Sequence, residues 1–372
     1  MNRRPAWAEI DLAAVAHNVA TLRSASAPAA LCVVVKADGY GHGAVPVARA
    51  AVAAGASWLA VALADEGLTL REAGLDVPIL LLSEPAPDEW DDAVRGGLTP
   101  TVYSRRTITG LAGASAAAGG PPLPVHLKVD TGMHRVGAPP QEAVALLRAV
   151  CARPELRLAG VWTHCAVADE PAHPFTATQL GRFDAVLAEL RAAGAPPFLA
   201  HAANSAAAML HPGLRHDLVR CGIAVYGLDP SPALHGRLAL LPALSLKARV
   251  SHVQVVAAGD AVSYGLRRPV AVDSVVATVP LGYADGVPRR LSAVGGEVLV
   301  GGRRRPLAGT VTMDQLLLDC GPDATVAVGD EVVLLGRQGG ERIGAEDWAG
   351  ALGTISYEIV CGISPRVRRE YR

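Results

Sequence analysis

Lysine is almost missing from this 372-residue chain. Only Lys36, Lys128 and Lys247 stand among 34 basic residues, and the other 31 are arginine. Arginine can replace lysine at most solvated positions but stays protonated, so chemistry that needs a neutral amine must keep its lysines. Charge of either sign is also scarce: 19% of residues are charged, against about 25% in a typical globular protein. With a formal net charge of -1, no basic excess exists to neutralise phosphates, which excludes general nucleic-acid binding. The opening MNRRPAWAEIDL lacks the apolar stretch of a signal peptide, and no uncharged run is long enough to span a bilayer. The six cysteines form no C-x-x-C pair, so neither a zinc ribbon nor a disulfide framework is expected. A cytoplasmic globular protein, outside the membrane and without a metal site, is the expectation.

Half of the chain, 51%, is hydrophobic, enough for a large core. Apolar, β-rich runs alternate with longer stretches of helical period through the first 220 residues. Strands are expected near 31–36, 58–63, 78–83, 99–103, 124–129, 158–164, 198–202 and 217–221. Helices are expected between most of them, as at 139–152 and 173–193, with Gly55, Gly74, Gly97 and Gly194 as stops. Near-continuous apolar strands alternating with helices imply a parallel sheet covered on both faces, and eight of them point to a closed (β/α)8 TIM-like barrel. After about residue 235 the helices give way to Val-rich runs (SHVQVV, DSVVATV, GEVLV, DEVVLL) separated by paired glycines. These indicate a C-terminal all-β domain. The division is expected at 9–235 for the barrel and 236–372, with segment 1–8, for the β-strand domain.

In a parallel barrel, chemistry gathers where the strands end. The ends carry Lys36, Lys128, Arg135, His164, Asn204, Ser205 and the run Arg220–Cys221–Gly222. Singly, each has a plain explanation: a solvated lysine, a hydrogen-bonded core histidine, a structural arginine, a helix N-cap at Ser205. Their convergence on one face makes a site. Gly39-x-Gly41-x-x-Ala44 also satisfies a dinucleotide-binding spacing, but Lys36-Ala37-Asp38 separates it from the strand, and eight βα units suit a barrel better than an open sheet.

With these residues in place, the sequence resembles the two-domain, pyridoxal 5'-phosphate (PLP)-dependent alanine racemases of fold type III. VVVKADGYGHG is similar to the family's cofactor-lysine signature. KVDTGMHRVG, THCA, ANSAA, VRCGIAVYG, VSYG, LGYADG and TMDQ follow in the family's order. The departures are Cys165, where an aromatic is common, and Thr312, where Cys or Ser is common. The resemblance implies that Lys36 would form the Schiff base with PLP and that Tyr264 would be the second catalytic base. Tyr40, Asn204, Ser205, Tyr357 and the amides of Gly222 and Ile223 would bind the cofactor, with Arg220 at the pyridine nitrogen and His164 beside it. Arg135 and the Met313 amide would bind the substrate carboxylate, and Tyr283 would narrow the entrance. Lys128 would carry a carbamate that positions Arg135, or else remain an amine paired with a carboxylate. A homodimer with shared sites, producing D-alanine for peptidoglycan, is implied as well.

The residue types suit that chemistry. Racemisation removes a weakly acidic Cα proton from one face and returns one to the other, so one acid/base group is needed on each face. A broad-specificity racemase would share the same machinery. A same-fold PLP decarboxylase would want an acidic residue in place of Arg220, and an oxidoreductase would need a nicotinamide dinucleotide.

Overall fold

The computed structural model describes residues 4–322 and 324–372, and these fall into two compact units. One comprises Ala13–Gly39 and Gly43–Leu241. A short strand β1 (Ala6–Ile10), which belongs to the other unit, precedes it. The eight parallel strands are β2 (Ala30–Val34), β3 (Trp58–Val61), β4 (Ile79–Leu81), β5 (Thr101–Val102), β6 (Leu123–Lys128), β7 (Leu156–Trp162), β8 (Leu199–His201) and β9 (Leu218–Cys221). They pair as β4-β3-β2-β9 and β5-β6-β7-β8. Two seams close the ring: Thr99 N donates to Ile79 O and Leu81 N to Thr99 O on one side, Asp217 N to Ala200 O and Arg220 N to Ala203 O on the other. The barrel expected from alternating runs is present, every strand within a few residues of its run. The four expected helix stops, Gly55, Gly74, Gly97 and Gly194, all take positive φ. The 139–152 segment begins as a single 3₁₀ turn, Pro140–Glu142, before its α-helix Ala143–Cys151.

The other unit comprises residues up to Leu12, Tyr40–His42 and Pro242–Arg372. Its strands are β10 (Leu244–Arg249), β11 (His252–Val256), β12 (Ser274–Val279), β13 (Glu297–Val300), β14 (Arg303–Ala308), β15 (Leu316–Asp319), β16 (Glu331–Gln338), β17 (Glu341–Ile343) and β18 (Arg368–Tyr371). The sheet runs β11-β12-β15-β14-β13-β16-β10-β1-β18, with β17 paired to β16. All neighbours are antiparallel except β1 and β18. Two short helices, Ala345–Leu352 and Ser356–Cys361, accompany the sheet.

The units divide at Leu12/Ala13 and Leu241/Pro242, later than the expected 8/9 and 235/236. The reason is local. The whole of β1 pairs with β10 and β18, so residues 9 and 10 cannot leave that sheet. Residues just before Pro242 are held by buried Asn18, whose Nδ2 donates to Leu241 O (2.8 Å) and whose Oδ1 accepts from Leu241 N (2.8 Å).

Candidate active site

Arg220 organises the barrel end. It lies on β9, four residues that are buried throughout, and its own exposure is 3%. A buried guanidinium needs its donors satisfied. Nη1 donates to His201 Nδ1 (2.8 Å), and Nη2 donates to Thr163 O (2.8 Å), Ala202 O (3.0 Å) and His164 Nδ1 (3.3 Å). Burial draws its pKa down to about 10, which still leaves a cation at neutral pH. The neighbours that could carry a counter-charge are the thiols of Cys32, Cys165 and Cys221, and burial pushes their pKa values up, so none of them is ionised at neutral pH.

A chain of neutral rings continues inward. Arg220 donates into His201 Nδ1, so the His201 proton is on Nε2 and is given to His126 Nδ1 at 2.9 Å. Burial, followed by Arg220, holds both imidazoles far below their usual range, His126 at about 3. Trp162 stacks on His201 at 5.6 Å and 8°. The Arg220 guanidinium and the Lys128 ammonium lie 4.5 and 4.0 Å from the centroid of that same indole. Gly160 makes room: a Cβ there would meet His126 Cε1 at 2.5 Å. Sequence reading missed His201, His126 and Trp162, because a histidine in an apolar strand looks like any other core residue.

Lys128 ends β6 and has no carboxylate within salt-bridge distance among the described residues. Burial first, then Arg220, Arg135 and Lys36, bring its pKa down to about 7, and Asp130 offsets this only in part. His164 is held neutral by burial and by the same cations, Arg220, Lys128, Arg135 and Lys36. Lys36, Lys128, Arg135, His164 and Arg220 therefore share one field, as their strand-end positions suggested. Arg135 rides a loop fixed at its base, where Asp130 accepts from Gly132 N and His134 N and Ala138 N donates to Lys128 O. Lys247, the third lysine, is a structural partner of Glu9 at 3.2 Å.

At the end of β8, Asn204 Oδ1 accepts from Ala207 N and caps the helix Ser205–Leu210. The cap is thus Asn204 rather than Ser205. Ser205 Oγ instead accepts from Gly222 N at 3.0 Å, which leaves its hydroxyl hydrogen to be donated elsewhere. Gly222 and Ile223 open the 3₁₀ turn Ile223–Tyr226 directly after β9.

Lys36 follows β2 and enters an unusual turn. Ala37, Asp38, Gly39 and Tyr40 have φ of 52°, 50°, 61° and 53°, a left-handed run that costs an L-residue about 1–2 kcal/mol at each non-glycine position. Hydrogen bonds hold it: Gly39 N to Val35 O, Gly43 N to Asp38 O and Ala44 N to Asp38 Oδ1, each 2.8 Å. Gly39 eases it, since a Cβ there would lie a tight 3.2 Å from Ala44 N at a positive φ. The glycines that imitate a dinucleotide motif thus serve a left-handed turn, and the parallel strands close into a ring.

On the other unit, Tyr40 and Tyr357 pack at 6.1 Å between ring centroids. Tyr264, Tyr283 and Met313 are all exposed, at 74%, 42% and 53%. The loop after β14 ties them together: Thr310 Oγ1 donates to Tyr264 O (2.9 Å) and Tyr283 N to Thr312 O (2.9 Å). Gly282 permits that approach, because a Cβ would meet Thr312 O at 2.3 Å. Buried Asp285 braces the assembly through Arg4 (2.6 Å) and Gly282 N (2.9 Å). Arg4 also donates to Asp314 O (2.6 Å).

The barrel-end groups suit PLP. A cluster of cations favours a phosphate dianion, and Ser205 Oγ–H with the Ile223 amide can donate to it. The four Arg220 bonds use only Nη1 and Nη2, which leaves Nε–H for a ring nitrogen.

Comparison with known proteins agrees with this chemistry. Residues 10–230 match the family model for the alanine racemase N-terminal domain, and residues 243–371 match that for the C-terminal domain. An alanine racemase of Symbiobacterium thermophilum is 50% identical over 368 residues, covering 99% of this chain and 97% of its own. Among solved structures, the alanine racemase of D-cycloserine-producing Streptomyces lavendulae superposes with a TM-score of 0.94 at 42% identity, covering 100% of this chain and 98% of its own. A histidine racemase from Leuconostoc mesenteroides also superposes, with a TM-score of 0.91 at 30% identity over 100% of this chain and 99% of its own.

Proposed function

The chain belongs to the alanine racemase family and interconverts L- and D-alanine with PLP as cofactor; on that premise we propose that Lys36 and Tyr264 are the two groups that exchange the Cα proton. When bound, PLP withdraws electrons from Cα and makes its proton removable. Lys36 Nζ takes or gives that proton on one face and Tyr264 Oη on the other. Arg220, paired only with neutral acceptors, presents a fixed positive charge to the pyridine nitrogen. His164, held neutral beside Arg220, keeps its proton on Nε2 and serves as a donor. Ser205, Asn204, the Gly222 and Ile223 amides, Tyr40 and Tyr357 hold the cofactor. Arg135 and the Met313 amide bind the substrate carboxylate, and Tyr283 narrows the entrance. The observation that carries this reading is Arg220 itself, a buried cation with no carboxylate beside it among the described residues, which is the opposite of what a decarboxylase needs.

The enzyme is read as a cytoplasmic homodimer that supplies D-alanine for peptidoglycan. In each active site the barrel of one protomer is completed by the partner's Tyr264. The exposure of Tyr264, Tyr283 and Met313 in the single chain supports this, since proton transfer at Cα needs water excluded. No helix among the described residues is long and apolar enough to cross a membrane.

Racemisation assays over a panel of L-amino acids test the substrate. Alanine is expected to exceed every larger amino acid in kcat/KM. Comparable values for histidine or other bulky side chains would favour the broad-specificity reading, which the fold of the histidine racemase keeps in view.

Lys128 is read as a carbamate. With a pKa brought down to about 7, roughly half of the amine is neutral at pH 7. The neutral amine attacks carbon dioxide, forming an N–C bond and releasing one proton. The resulting anion relieves the cluster of Arg135, Arg220 and Lys36. Protonation competes with this addition, so carbamate occupancy is expected to fall as pH drops below about 7. Carbon-13-labelled bicarbonate should give a carbamate resonance that is lost in Lys128→Arg, whose guanidinium cannot react. An intact mass and a spectrum showing only a plain amine at pH 8 would count against it.

A further inference from the structure

Given the reading of Lys36 as the cofactor lysine, we propose that Glu66 is a positioning residue for Lys36, acting through the first peptide of the left-handed turn. Glu66 Oε1 accepts from Ala37 N at 2.6 Å, a short, charge-assisted bond. That amide belongs to the peptide joining Lys36 to Ala37, and a peptide is planar, so fixing its N–H fixes the plane leaving the Lys36 Cα. The plane entering Lys36 is that of the Val35–Lys36 peptide, whose Val35 O accepts from Gly39 N at 2.8 Å. Lys36 is thus clamped between two anchored peptides, and the direction of its Cα–Cβ bond follows from both.

The anchoring matters because the turn opposes its own geometry. Ala37 and Asp38 have no glycine's freedom at positive φ. Without an acceptor for its N–H, Ala37 is released toward ordinary negative φ, and the Lys36 side chain swings with it. Asp38 secures the far side of the turn through Ala44 N and Gly43 N. On the near side, the Glu66 side chain secures Ala37 N.

Helix capping does not account for this bond. Glu66 is at the third position of the helix Ala64–Glu72, and its other oxygen, Oε2, already accepts from Ala62 N (2.8 Å) and Leu63 N (3.2 Å). Those two bonds satisfy the helix start. Oε1 reaches across to a residue 29 positions earlier, at the end of the neighbouring strand β2. One carboxylate, immobilised by three amides, joins the ends of β2 and β3 at the reactive lysine.

The holoenzyme variants Glu66→Ala, Glu66→Gln and Leu63→Ser/Glu66→Ala test this. Leu63 is the helix N-cap, extended (φ -118°, ψ 152°) and 55% exposed. A serine there supplies a replacement helix-start bond, from the amide of position 65 or 66, without restoring the bond to Ala37. In both alanine variants kcat is expected to fall about 10- to 100-fold with KM for alanine little changed, as for a small misplacement of a reacting group. The same variants should release cofactor faster and show altered borohydride trapping at Lys36. The double variant should keep wild-type thermal stability. Glu66→Gln keeps a single acceptor oxygen, which meets Ala37 N only by turning its NH2 toward Ala62 N and Leu63 N, so its kcat should fall between those of wild type and Glu66→Ala. A double variant with wild-type kcat, cofactor release and trapping would overturn the inference, because capping would then explain everything. Trapping of the wild-type cofactor on Lys128 or Lys247 would overturn the Lys36 reading, and this inference with it.

Discussion

Two inactive variants are expected to restore each other. On the proposed two-base reading, Lys36→Ala removes the amine that would hold cofactor and move the proton on one face, and Tyr264→Phe removes the hydroxyl that would move it on the other. Each alone should lose at least the roughly 10²–10⁴-fold that a positioned acid or base contributes. Lys36 belongs to the barrel unit and Tyr264 to the β-strand unit. If a site combines Lys36 of one protomer with the partner's Tyr264, a heterodimer of the two variants has one site with both residues intact and one site with neither. Random exchange makes about half of the dimers mixed, so about a quarter of all sites should be intact. Activity should therefore rise from near zero toward about a quarter of wild type as subunits exchange. Verified exchange without recovery would show that each site is built within one chain.

Why the barrel was readable, and parts of its site were not, follows from which interactions define each. Strands such as 31–36 and 58–63 show as apolar runs because both faces of a parallel strand are buried, and burial acts on every residue of the run. The observed β2 and β3, Ala30–Val34 and Trp58–Val61, shift the ends by only a few residues. Lys36, Lys128, Arg135, His164 and Arg220 were readable because charged side chains at apolar strand ends are costly without a purpose. The left-handed run after Lys36 was not readable: Ala37, Asp38 and Tyr40 carry no local preference for positive φ, and the bonds that hold Ala37 and Asp38 there come from Glu66 and from later backbone. His126 and His201 were hidden for a related reason. Their roles arise from side-chain neighbours brought together across β6, β8 and β9, which no spacing along one strand reveals.

Replacing Arg220 with glutamate is expected to change the reaction more than the binding of cofactor. Arg220 is a cation at neutral pH, so on the proposed placement at the pyridine nitrogen a second positive charge there would be disfavoured. Each unit by which the ring pKa falls is about 1.4 kcal/mol against its protonated form. Glutamate reverses the sign and favours ring protonation, which spreads the negative charge left at Cα and allows it to be reprotonated elsewhere. Racemisation should slow by about 10²–10³-fold, the scale of removing one preorganised electrostatic group. A new long-wavelength absorption band should appear with alanine, and transamination should increase. The substitution also has a structural cost that the geometry makes explicit: a carboxylate would face Thr163 O, Ala202 O and the Nδ1 acceptors of His201 and His164. Acceptor against acceptor is unfavourable, and a neutral His201 can answer only by moving its proton to Nδ1, which keeps its bond to His126 only if His126 also changes tautomer and reverses that bond. Arg220→Gln separates the two effects, since its amide can still donate to His201 or a carbonyl while removing the charge. Slower racemisation with the new band in both folded, cofactor-loaded variants, strongest in Arg220→Glu, is the outcome that charge control requires. If Arg220→Glu folds, retains cofactor and racemises alanine at the wild-type rate with no new band, Arg220 merely braces β9 and the electronic role fails.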